Sequence, residues 1–364
     1  MYIIIDALDE CEDKDMEDFL GCVVRSGLRQ PSVKWLLTSR PLDSAQQKLL
    51  TGNDQIGLSL ELNSEHVARG VQAYIAAKVL ELDRGKHYGE SLRVRLNAEL
   101  TLKAEATFLW VSLVCKVLEG IPAEDALATV TDTPKGLVSL YQRAFQQLHG
   151  SRESEACEHI LKVLMLTYRP LHVSELGGLT KADGKEAVQR LVDQCSSFVR
   201  LRKDSVEFVH QSARDYLGGN DGQSPLDCPA PYGHLELAMS CLSHLNGRLK
   251  VNMLNLPKPD STWTLFDMSA NSEAQQLLQS LDYAATFWIQ HLEGACPSQA
   301  HHGVSTKAKF LSEFLHGRFL EWLECLSFLG QLRVSVEGIK VLKSISVRIG
   351  VSQSSHQSCG RTTR

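Results

Sequence analysis

The first residues whose types and spacing suggest chemistry are Asp6, Asp9 and Glu10, which close the apolar run Tyr2-Ile3-Ile4-Ile5 with clustered carboxylates. Magnesium keeps most of its waters and is held by one or two carboxylates, so an aspartate at the tip of a rigid buried strand suits it as an anchor. An acid just beyond is placed to orient an attacking water. The plainer account is that Asp6 to Asp18 is an acidic, solvated helix start favoured by the helix dipole, and these residues alone leave both open. A second apolar run, 33–38, ends in Thr38-Ser39-Arg40-Pro41. Ligands of an open parallel sheet bind beyond the carboxyl ends of its strands, so Asp6 and Arg40 are expected on one edge. Carboxylate for metal and guanidinium for phosphate is the pairing a nucleoside triphosphate requires. Taken singly, Arg40 is equally a surface arginine before a proline turn, and His210 reads as a hydrogen-bonded histidine at a strand end.

The elements that must position these groups follow from periodicity. Runs 2–5, 33–38 and 56–62 are short, apolar and β-branched or aromatic, as buried parallel strands are. Between the first two lies an acidic helical stretch, 16–29, with Phe19, Leu20, Val23, Val24 and Leu28 on one face. Strand, helix, strand is a βαβ unit with a right-handed crossover. A lone buried strand cannot satisfy its backbone, so either later strands flank 2–5 or the chain is the tail of a longer protein.

From 64 onward the period is helical. Helices are expected at 64–82, with Ser64 as cap and Val67, Val71, Tyr74, Ile75 and Val79 as its stripe, then at 89–104, 105–119, 123–130 and 136–149. Three further helices, 156–167, 173–179 and 185–195, precede a hairpin of strands 198–201 and 206–209 and a helix at 212–217, the outline of a winged helix. Helices at 235–245, 274–292 and 310–332 follow. The expected fold class is therefore mainly α with a partial parallel α/β sheet. Its parts are a truncated sheet core (1–63), a helical bundle (64–150), a winged helix (151–220), a Gly- and Pro-containing linker (221–231), an α-helical region (232–350) and a disordered tail (351–364).

Composition narrows the function classes. The 364 residues are 43% hydrophobic and carry 38 basic against 43 acidic side chains, a net charge of −5, which offers no long-range attraction for nucleic acid or anionic membrane. No apolar run is long enough for a membrane span, and no basic lead-in marks a secretory signal. The 10 cysteines show no C-x-x-C and no zinc spacing, and read as reduced, mostly buried thiols of a cytoplasmic protein.

With these motifs in order, the sequence resembles the fungal NACHT signal-transduction NTPases of the vegetative-incompatibility type, NLR-like members of the STAND class of P-loop NTPases. Tyr2 to Cys11 is similar to their Walker B strand and Leu36 to Pro41 to their sensor 1. Ala106 to Val111 and Pro134-Lys135-Gly136-Leu137 with Tyr141 are similar to helical-domain segments. Arg169-Pro170-Leu171 with Glu175, and Phe208 to Ala213 with Tyr216-Leu217, are similar to the winged-helix region. Leu281 to Ala285 with Trp288 and His291, and Phe319 to Glu324, are similar to the helices that lead to a repeat domain.

The resemblance implies that Asp6 helps hold Mg²⁺, that Asp9 or Glu10 polarises the hydrolytic water, that Arg40 senses the γ-phosphate of ATP and that His210 reaches the β-phosphate of ADP. It also implies protein partners or self-oligomerisation. One departure is large. No G-x-x-x-x-G-K-[ST] loop occurs in the 364 residues: the Gly-Lys pairs Gly85-Lys86-His87 and Gly184-Lys185-Glu186 lack the upstream glycine and the following hydroxyl. That loop supplies the amides and lysine that hold the phosphates, so weak ATP affinity and negligible turnover are expected of this chain alone. Two readings compete. An α-helical scaffold would present Trp263, Trp288 and Trp322 to partners, although such stripes are by default core. A winged-helix nucleic-acid binder would use 185–195, where Lys185 and Arg190 are offset by Glu186 and Asp193.

Overall fold

The structure, a computed structural model, describes residues 1–8, 13–29, 32–39, 64–180, 182, 184–219, 224–226, 230–254, 272–295 and 304–344. It forms two compact units, Met1–Ala77 and Lys78–Arg364. In the first, β1 (Tyr2–Ile5), α1 (Asp13–Arg29) and β2 (Lys34–Leu37) make the expected βαβ unit. The strands are parallel, with Tyr2 opposite Lys34 and Ile5 opposite Leu37. Leu8, Met16 and Leu20 are buried together, with Ile5 and Phe19 against them. Trp35 fixes the helix to the sheet: its indole N–H donates to Ser26 Oγ at 2.8 Å, and its ring stands edge-on to Phe19 at 6.2 Å.

The expectation of a strand buried on both faces does not hold among the described residues. Tyr2, Ile4 and Leu36 are 84%, 67% and 58% exposed. Side chains alternate across a strand, and a single helix covers a single face. The expected third strand, 56–62, lies outside the described residues, as does the tail 351–364.

After α2 (Ser64–Lys86) come α3 (Gly89–Lys103), α4 (Phe108–Gly120), α5 (Ala126–Asp132) and α6 (Leu137–His149). Helix α4 starts at Phe108 rather than 105, because Glu105 and Ala106 adopt φ of 48° and 55° and break the helical path. Lys103 then serves as a cationic cap for α5: its ammonium donates to the carbonyls of Val130 at 3.0 Å, Thr133 at 2.9 Å and Thr131. Trp110 is fully buried and donates its indole N–H to Pro134 O at 3.1 Å.

Next come α7 (Ser154–Leu166), β3 (Leu171–His172), α8 (Val173–Thr180), α9 (Lys185–Gln194), β4 (Val199–Arg202), β5 (Ser205–Phe208) and α10 (Gln211–Gly218). The strands form an antiparallel sheet in the order β3-β5-β4. Lys203 and Asp204, at φ of 48° and 66°, make the tight hairpin turn whose twist matches the strands. β3 escapes sequence reading because two residues show no alternation.

The rest is helical: α11 (Ala230–Arg248), α12 (Ser272–Gly294), α13 (Val304–Phe328) and α14 (332–344). The single helix expected over 310–332 is interrupted. Gly330 takes φ of +69°, and the Gln331 N–H turns back to Leu326 O at 2.8 Å, a left-handed glycine stop. Trp288 and Trp322 are fully buried, edge to face at 5.6 Å, with the Trp322 indole donating to Ala285 O at 2.9 Å. They are core rather than partner surface; Trp263 lies outside the described residues.

Candidate functional site

β1 and β2 deliver their carboxyl ends side by side, and there the chain tightens. Thr38 N–H continues the ladder to Ile5 O at 3.0 Å, and Leu8 N–H donates to Thr38 O at 2.8 Å. Ala7, at a left-handed φ of 56°, turns its N–H onto Thr38 Oγ1 at 3.0 Å. That hydroxyl in turn donates to Asp6 Oδ1. Asp6 is therefore an exposed carboxylate held at one oxygen by the neighbouring strand tip, and a carboxylate so held retains lone pairs for a hard cation or water. The donor chemistry fits a hydrated magnesium ion held by one carboxylate, and among the described residues no group of three or more His, Cys, Asp or Glu converges as a metal site. Asp9, Glu10 and Arg40 lie outside the described residues. Thr38 sits in the motif read from the sequence, but its hold on Asp6 could be found only by pairing the strands.

His210 belongs to the second unit, where it caps α10. Its backbone is extended, at φ −164° and ψ 157°, and its Nδ1 accepts from the Ser212 N–H at 3.1 Å. Histidine is not among the usual N-caps, so the sequence reading started this helix at Ser212. The Ser212 hydroxyl lies 2.9 Å from Nδ1 and 3.2 Å from the Tyr141 hydroxyl. Tyr141 is buried, stacked on Phe198 and tilted against Tyr216, each at 5.6 Å, and burial raises its pKa above the ordinary phenol value.

A second polar cluster ties α8 to α12. Glu175, 2% exposed, takes Arg169 in a two-pronged pair at 2.7 and 2.9 Å, and also the N–H groups of His172 at 2.7 Å and Tyr283 at 3.0 Å. Beside it Tyr283 OH meets His291 Nε2 at 2.8 Å, and His291 Nδ1 meets His234 Nδ1 at 2.8 Å. Burial pushes His291 down to about 3. Free thiols at Cys115, Cys157, Cys195, Cys241 and Cys325 are buried and that of Cys22 is exposed; burial pushes Cys115 up to about 11, which keeps it a protonated, unreactive thiol.

These features define a mainly helical protein with a small parallel sheet whose edge carries an exposed carboxylate. Residues 1–40 match the family described as nephrocystin 3, N-terminal. Over 365 aligned residues the chain is 30% identical to the vegetative incompatibility protein HET-E-1 of Podospora anserina, an alignment that takes in 94% of this chain and 26% of that protein. The chain is therefore similar to this fungal incompatibility protein over nearly all of its own length, and it spans about a quarter of the length of the curated relative it matches. No solved structure matches it. Among the described residues no helix is long and apolar enough to cross a membrane.

Proposed function

We propose that this chain is part of a nucleotide-switched signalling NTPase of the NACHT type, acting in cytoplasmic self/non-self recognition and cell-death signalling through protein partners or self-association. The observation that carries the reading is Asp6, presented at the carboxyl edge of a parallel strand pair and held there by the Thr38 hydroxyl. In this reading residues 1–63 are the Walker B and sensor 1 part of the nucleotide domain, 64–150 a helical domain and 151–220 a winged helix. The order β3-β5-β4 beside α7, α8 and α9 supports the last assignment. Asp6 holds magnesium, which when bound supplies positive charge to the phosphate oxygens. Asp9 or Glu10 orients water, Arg40 reads the γ-phosphate and His210 donates to the β-phosphate of ADP. A nucleotide that contacts such groups differently as ATP and as ADP shifts the balance between two conformations.

The 364 residues hold no G-x-x-x-x-G-K-[ST] loop, so this chain by itself binds nucleotide weakly and turns over no ATP above background. A low-micromolar dissociation constant for ATP by calorimetry overturns the weak-binding part. The site assignment is tested by titrating Mg²⁺·ADP to millimolar concentration into ¹⁵N-labelled protein. Shifts at Thr38 and at residues 6–8 that disappear in Asp6→Asn are expected; spectra that stay still throughout the titration overturn it.

A further inference from the structure

Tyr141 and Ser212 are 71 residues apart in sequence, yet their hydroxyls meet at 3.2 Å, and Ser212 is also the residue that His210 caps. The hydrogen-bond directions here follow from one fixed donor. A backbone N–H can only donate, so the Ser212 amide, 3.1 Å from His210 Nδ1, requires a lone pair on that nitrogen. The neutral ring then carries its proton on Nε2. The Ser212 hydroxyl, 2.9 Å from the same Nδ1, faces an acceptor and must donate to it. With its proton so used, Ser212 Oγ presents a lone pair to Tyr141, whose hydroxyl donates in turn. The Tyr141 hydroxyl is carried on a ring that is 1% exposed and packed in a three-ring cluster with Phe198 and Tyr216, so the chain of donors starts from a closely packed group. His210 is exposed, and among the described residues its Nε2 meets no protein partner.

We infer that Tyr141 is a positioning residue: the Ser212 amide already requires a lone pair on Nδ1, and through the Ser212 hydroxyl Tyr141 reinforces that tautomer and holds the ring plane of His210, so that the imidazole presents an Nε2–H donor to an anionic oxygen, such as a nucleotide phosphate. The relay also links α6, which carries Tyr141, to the capped start of α10, so that a movement of either helix changes the direction in which that donor points. The nucleotide part rests on the proposed function; the tautomer and its dependence on Tyr141 stand without it.

The test uses the full chain labelled with ¹⁵N-histidine and without nucleotide, observed through long-range ¹H–¹⁵N correlations, with His210 assigned by loss of its signals in His210→Gln. The wild-type chain is expected to show the Nε2–H pattern in excess over the Nδ1–H pattern. Tyr141→Phe keeps the ring stack and removes one donor, and the ratio of Nε2–H to Nδ1–H forms should drop by about fivefold, the factor given by one net hydrogen bond. Ser212→Ala should do the same, and the double variant should be no worse than either single one, because Tyr141 acts through Ser212. A predominant Nδ1–H pattern in wild type, an unchanged spectrum in both single variants, or strictly additive effects overturns the relay. Adding Mg²⁺·ADP separates the two claims. If the relay behaves as described and His210 does not respond to millimolar ADP, the phosphate reading of His210 fails and the positioning role survives.

Discussion

Glu175 and His291 show how much single side chains carry in this fold. Both Glu175 oxygens are filled twice, by Arg169 and by two backbone N–H groups, so removing the carboxylate takes an acceptor from two amides and leaves the Arg169 guanidinium with Asp282 as its acidic partner. Glu175→Ala is expected to cost about 3–5 kcal/mol by urea denaturation; a loss under about 1 kcal/mol would mean that water replaces the carboxylate freely. His291 predicts a pH dependence. Its neutral form is favoured by burial and by the neighbouring His234, which holds it down to about 3 against an ordinary 6.5, and burial lowers His234 as well. Tyr168 stacks on His291 at 4.7 Å and Tyr283 bonds its Nε2, so among these neighbours no acid offsets a proton added to the pair. The folded state thus binds fewer protons than the unfolded state below the ordinary value. Stability is full above about pH 6.5 and falls as pH drops towards 3, by up to about 1.4 kcal/mol per unit for one such group. Chemical denaturation at a series of pH values should show this slope, and His291→Gln should flatten it.

At the scale of elements, close approaches decide which substitutions the helices tolerate. Gly178 in α8 lies so near α11 that a Cβ would overlap the His244 imidazole, and that ring is held by a 3.0 Å bond to Ser280 O. Gly178→Ala should therefore wedge the two helices apart and cost about 1–3 kcal/mol, read as a lower denaturation midpoint. An unchanged midpoint would show that His244 yields without cost. The sheet edge behaves differently. Ile4 is 67% exposed while Leu20 is fully buried, so in this chain Ile4→Thr should leave stability within about 0.5 kcal/mol, whereas Leu20→Ala should cost about 2–5 kcal/mol. The helices themselves were legible because their stripes repeat within a few residues. Their ends were less so: the late start of α4 depends on the left-handed Glu105 and Ala106, and the stop at Gly330 on one positive φ.

For the molecule as a whole, charge argues against the nucleic-acid reading. On the hairpin and α9, Lys185 pairs with Asp204 at 2.7 Å and Arg200 with Glu207 at 2.8 Å, so part of the positive charge a phosphate backbone would need is offset by neighbouring acids. Retention of a 20-bp duplex in electrophoresis at 150 mM salt is expected to be nil, with about the salt range of ordinary binders as reference; binding that weakens steeply with salt would revive that reading.

Strand-helix-strand at the start, the helical run after it, the hairpin and the family resemblance all follow from local order, since side-chain period, turn residues and motif succession act over a few neighbours. Folding alone made the contacts between distant segments: Thr38 on Asp6, Tyr283 on Glu175 across 108 residues, and Tyr141 on Ser212. Such bonds arise from the packing of whole helices and strands against one another, and no spacing along the chain records which two polar groups that packing will bring within 3 Å or so of each other.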